Sequence, residues 1–128
     1  MDYNKIIDEV LFGGGSTVST HGQQVPSEGY VVSLGSKWAE VIPHRLVSNR
    51  AMFRDVLINF TVKFQRELSR HNHFVGAWDE NDELYLDVVE VIPDRQQAIT
   101  AGVERDQIAI WGLAQTELIK TGGSGRVG

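Results

Sequence analysis

The chain has 128 residues, 41% of them hydrophobic and 23% charged, with a net charge of −5. That length can bury one sizeable core, while the acidic balance argues against a protein that grips a phosphate backbone, which needs a basic stripe. With no cysteine in the sequence, disulfides, thiolate zinc sites and cysteine nucleophiles are excluded.

The opening "MDYNKIIDEVLF" sets Ile6, Ile7, Val10 and Leu11 at helical spacing and predicts a short amphipathic helix. Its apolar run is too short for a signal peptide. No stretch approaches the roughly 18 apolar residues of a membrane span. A cytoplasmic protein with no membrane association is therefore expected. "GGGSTVSTHGQQVPSEG" follows with the composition of a flexible linker. No Lys comes after "GGGST", so the phosphate-loop pattern fails. Residues 1–28 are expected to form a helix and linker, 29–121 a single α+β domain and 122–128 a flexible tail.

"YVVSL" reads as a strand by its β-branched content, and "GS" turns it towards a second short strand, "KWAEVI", ended by Pro43. Ser48 or Asn49 can cap a helix from about Arg50 to Arg70, with Phe53, Val56, Leu57, Phe60, Phe64 and Leu68 as its apolar stripe. Ile58, Phe60, Val62 and Phe64 also alternate as a strand would, but the length without Gly or Pro favours the helix. "HFVGAWDENDELYLDVVEVI" predicts a β-hairpin. Asp94 then caps a second helix, with Gln97 completing a capping-box pattern, and that helix runs to about Asp106. "QIAIWGL" is the next strand and "ELIKT" folds back on it. The order is the split β-α-β of ferredoxin-like folds: an α+β domain with a mainly antiparallel sheet and two helices on one face.

The stretch "GAWDENDELYLDVVEVIPD" holds six carboxylates before its closing Asp94. Asp79, Asn81 and Glu83 alternate as in a calcium loop, and Glu90 stands where such a loop has its bidentate acid. Leu84 occupies the position that needs glycine, and the following segment is strand-like, so the calcium reading fails. A two-residue turn at Asn81-Asp82 fits better, because both residues tolerate positive φ. It sets Trp78 opposite Tyr85 and Gly76 opposite Asp87. Val75, Ala77, Leu84, Leu86 and Val88 then share a core face. Phe74, Trp78, Tyr85 and Val89 share the other, with Asp87 among them. On the later strand, Ile108 and Ile110 would point to the core and Trp111 and Leu113 away from it. A sheet face rich in aromatics marks an interaction surface, so Phe74, Trp78, Tyr85, Asp87 and Trp111 are the expected partner-binding residues. The competing expectation is that the N-terminal helix or "KWAEVI" packs over this face as a second small core.

Other chemistry is sparse. His71 and His73 could place two imidazoles on one side of a strand, but no third metal ligand lies near them in sequence. His44, His71 or His73 could serve as a ribonuclease base, with Arg66 or Arg70 stabilising a phosphorane-like transition state. Arg66 and Arg70 equally describe a solvated helix face. Ser33, Ser36 and Ser48 lack an elbow motif. No catalytic residue, metal or cofactor is assigned.

"YVVSL", "FVGAWDENDELYLDVVEVIPDRQQA" and "QIAIWGLAQTELIKTGG" together resemble a family of small proteins from phages and mobile elements of actinobacteria, over roughly Gly29 to Gly123. In that pattern Asp commonly follows the Trp where this chain has Gly112. The resemblance carries no catalytic residue and implies only context: an accessory gene whose product binds and disables a host protein, such as a CRISPR effector. Three classes follow. One is a non-enzymatic module that binds a host protein in the bacterial cytoplasm. The second is a histidine-dependent RNA-processing enzyme. The third is a phage structural or assembly protein that homodimerises through the aromatic face. Nucleic acid is disfavoured as a partner by the charge.

Overall fold

The computed structural model describes residues 1–125. Helix α1 (Tyr3–Gly13) starts at Asp2, whose carboxylate accepts from the Lys5 N–H at 3.1 Å, and ends where Gly14 adopts φ 82°. Its Ile6, Ile7 and Val10 are buried. Strand β1 (Gly15–Val18) follows at once and pairs antiparallel with β4 (His73–Glu80). The expected linker therefore contains an edge strand. Thr17 and Val18 suit a pleated edge, and Val18 enters the core. Further along the arm, the Gln23 side chain donates to the His73 carbonyl at 2.7 Å and accepts from the Asn72 N–H at 2.9 Å. The arm is tied to the base of the sheet.

Strands β2 (Tyr30–Ser33) and β3 (Ala39–Pro43) both lie along the same side of β5 (Glu83–Ile92). β2 faces Val89–Ile92 and β3 faces Glu83–Asp87. The break between them falls at Gly35, φ 123°, and a short 3-10 turn, Ser36–Trp38. β4 flanks the other side of β5 from Glu83 to Glu90. The turn between them has φ 50° at Asn81 and 61° at Asp82, the geometry of a two-residue hairpin turn. The register is the expected one, Trp78 opposite Tyr85 and Gly76 opposite Asp87. β6 (Ala109–Gly112) pairs with β2, and β7 (Glu117–Lys120) closes the other edge. All pairings are antiparallel, in the order β1-β4-β5-β2-β6-β7, with β3 beside β5.

Helix α2 (Arg50–Lys63) is capped by Asn49, which accepts from the Met52 N–H at 2.9 Å. It does not run on to Arg70. Phe64 leaves helical geometry at φ −107°, ψ 23°, and a separate turn, α3 (Gln65–Leu68), follows. Phe64 and Leu68 both stay buried, so the break re-aims the apolar stripe. Side chains from α1, α2 and α3 form one cluster with Val75, Ala77, Leu84, Leu86 and Val88. Helix α4 (Arg95–Glu104) starts at Asp94, which accepts from the Gln97 N–H at 2.9 Å. Its Ala98 packs with Tyr30, Val32 and Ile110. Gly102 is needed there, because a Cβ would lie 2.9 Å from Ile110 Cγ2. Arg105 ties the end of α4 to the sheet, pairing with Glu90 at 2.9 Å and donating to the Ser33 carbonyl at 3.0 Å.

The expected tail is partly built in. Thr121, Gly123 and Gly125 donate backbone N–H groups to the carbonyls of Ile108, Gln107 and Asp106. Arg126 to Gly128 lie outside the described residues. Among the described residues, no helix is long and apolar enough to cross a membrane.

Candidate functional site

The face of the sheet turned away from Val75, Leu84 and Leu86 is concave. A groove of about 480 Å³ crosses it, lined by Gly15, Ser16 and Thr17 of β1, by Trp78 and Asp87 of the central strands, and by Trp111 and Leu118 of β6 and β7. Residues from both edge strands line one space, so the sheet curls around it. The volume lies in the range of small-ligand and side-chain pockets.

The five expected partner-binding residues occupy three different situations. Phe74 is 1% exposed and sealed in a second small core with Val31, Val89 and Val91, with Val25 and Leu113 packed against it. Its ring lies beneath the groove, packed under Val25, Val31, Val89 and Leu113, which line it. A second core therefore exists on this face, but neither the N-terminal helix nor the "KWAEVI" strand builds it. α1 belongs to the other face and β3 lies within the sheet. Val25 of the arm is the residue that reaches over.

Trp78 and Tyr85 are half-buried cross-strand partners with ring centroids 5.1 Å apart at an interplanar angle of 32°, a tilted contact within the distance range of favourable aromatic pairs. Trp111 is the open one. It is 38% exposed, with Leu118 opposite it on β7 at 48%. Large apolar side chains left in water beside a groove are the parts of this surface free to bury area on a partner.

Asp87 is only 8% exposed. Burial pushes its carboxyl up to about 7 from an ordinary 3.8, against the opposing effect of the Trp78 indole N–H, which donates to it. Gly76 stands across from it because a Cβ there would come within 2.8 Å of Val89 Cγ1. Behind Asp87 is a cavity of about 10 Å³ bounded by Ser36, Ala39, Tyr85, Gln107, Ile108 and Gly125, about the space one water centre occupies. Ile108 lines this cavity. Expected in the helix-side core, it precedes β6 instead and turns to the opposite side. Tyr85 is also pushed up in pKa, first by burial and then by Glu83, Glu80 and Asp87.

The histidines are not brought together. His44 Nε2 lies 2.9 Å from Asp79 Oδ1 near the hairpin tip. His73 Nδ1 contacts the Glu67 carbonyl at 2.8 Å at the other end of β4. Asp79 and His73 are six residues apart on that strand, about 20 Å at the rise of a β-strand. His71, Arg66 and Arg70 are exposed at the α3 end. Among the described residues no group of three His, Asp or Glu side chains could hold a metal ion.

Sequence reasoning missed the rest of the groove wall: Glu9, Glu80, Leu118 and the glycine-rich turn after α1. No periodicity links α1, the hairpin tip and β7. The Leu118-Ile119 pair in "TELIKT" was the available signal: two adjacent apolar residues on a strand cannot both face the core. No protein-family model, curated protein or solved structure matches the chain.

Proposed function

We propose that the chain is a non-enzymatic binding module that seats part of a protein partner in this groove, with Trp111 and Trp78 as the anchors. The observation that carries the reading is the groove itself: about 480 Å³ between two tryptophans on a concave sheet face. Binding energy concentrates where aromatic anchors become fully desolvated. The separated histidines lend nothing to the RNA-processing reading.

The finer fold reading belongs with this proposal. β5 lies between β4 and β2, and β2 between β5 and β6, which supports the split β-α-β, ferredoxin-like reading of the β2-to-β6 part, with β1, β3 and β7 as additions. The resemblance to small proteins of actinobacterial phages and mobile elements suggests the partner's kind: a cytoplasmic host protein, such as a CRISPR effector, occupied and thereby disabled.

The test is a comparison of variants. Trp111→Ala should leave thermal unfolding within about 1 kcal/mol of the parent, since the side chain is partly exposed. It should weaken capture of the host protein by about 2 kcal/mol, or roughly thirtyfold. A host protein captured equally by parent and Trp111→Ala would remove the groove from the interface.

A further inference from the structure

The charge of the groove narrows its occupant. Among the described residues, its wall holds Glu9, Asp79, Glu80 and Asp87 and no Lys, Arg or His. Two of these acids are already engaged: Asp79 faces His44 at 2.9 Å, and Glu9 accepts from Ser16 Oγ at 2.9 Å and lies 3.9 Å from Lys5. Glu80 and Asp87 form no ion pair with any described residue. Asp87 accepts from the Trp78 indole, whereas a carboxylate has about four acceptor sites. A carboxylate set deep beside an aromatic wall, with capacity unused, suits a cation that arrives with its own donors.

We propose that the groove receives an arginine side chain from an extended segment of the protein partner, its guanidinium at Asp87 beside Trp78 and its stem leading out towards Trp111. This rests on the partner-binding reading above. Arginine fits better than lysine because the planar guanidinium is weakly hydrated, stacks on an indole face and forks onto a carboxylate. Leu113 and Leu118 offer apolar surface for the residues on either side of it. A phosphate chain would meet Glu9, Asp79, Glu80 and Asp87.

The experiment titrates the full chain with an acetylated, amidated pentapeptide bearing a central arginine, and with the same peptide bearing citrulline, its neutral near-isostere. The indole N–H signals of Trp78 and Trp111 report binding by NMR. The arginine peptide should shift both signals and bind at least about tenfold tighter than the citrulline peptide, the range of a charge-assisted contact. Asp87→Asn should abolish that preference. If that variant does not fold, Glu80→Gln and the parent at raised salt should each reduce the preference. Equal binding of the two peptides would overturn the arginine assignment yet leave the groove as a docking site. If neither peptide moves the indole signals, the arginine assignment falls. The partner-binding reading is then decided separately, by capture with Trp111→Ala.

Discussion

Asp87 and Trp78 form the most consequential residue-scale pair. Burial raises the folded carboxyl to about 7 from 3.8, so between these values the folded state holds a proton that the unfolded chain has lost. The stability tied to that proton is fully present below about pH 4 and is lost as pH rises to about 7. Three pKa units correspond to about 4 kcal/mol. Asp87→Asn should flatten this fall, because asparagine stays neutral and still accepts from the indole. Chemical unfolding of both proteins from pH 4 to 8 measures the difference, and a constant gap across that range would mean Asp87 ionises normally. Trp78→Phe removes a donor that holds the carboxyl down, so the loss of stability should extend to higher pH. Much of this residue-level arrangement was legible in the sequence. Asn81-Asp82 is a strong turn signal, and a hairpin register places every side chain on a face. Ile108 was misplaced because alternation was extended one residue beyond the start of β6, where it no longer governs direction.

Among the elements, the N-terminal arm departs most from expectation. Its composition reads as a linker, yet β1 zips onto β4 through Gly15 to Val18. Four residues rich in Gly and Ser carry no visible alternation, and strand pairing with a distant partner leaves no local trace. α1 was legible by its apolar spacing, but spacing alone says nothing about which sheet face receives it. Ile7 is 1% exposed within the main cluster beside Val75 and Leu86. Ile7→Ala should therefore cost about 2–5 kcal/mol, the range for deleting a buried aliphatic side chain. Urea unfolding would read the loss, and a change below about 1 kcal/mol would mean α1 is not part of the cooperative unit. The break at Phe64 was hidden for a related reason. Phe60, Phe64 and Leu68 keep helical spacing through it, and their burial does not require an unbroken helix.

Taken as a whole, the molecule hangs on one strand. β5 is paired on one side with β4 and on the other with β2 and β3, and its two faces serve different ends. Leu84, Leu86 and Val88 close the helix-side core, while Tyr85, Asp87 and Val89 build the groove side. The α+β class and the antiparallel sheet were legible because a hairpin between two helical stretches leaves few arrangements. The groove was not, since it exists only when the sheet curls and brings β1 and β7 to face one space. This layout predicts a gradient of local stability. Backbone amides of Leu84 to Val89, hydrogen-bonded strand to strand and covered by side chains on both faces, should open only with global unfolding. Those of Glu117 to Lys120 lie at an edge whose side chains are half-buried or exposed, and should exchange through smaller openings. Native-state hydrogen exchange at increasing low denaturant would separate the two classes. If β7 proved as protected as β5, the groove would have a rigid outer wall. If it opens first, the wall bearing Leu118 can adjust to an occupant while Asp87 and Trp78 stay fixed on the central strands.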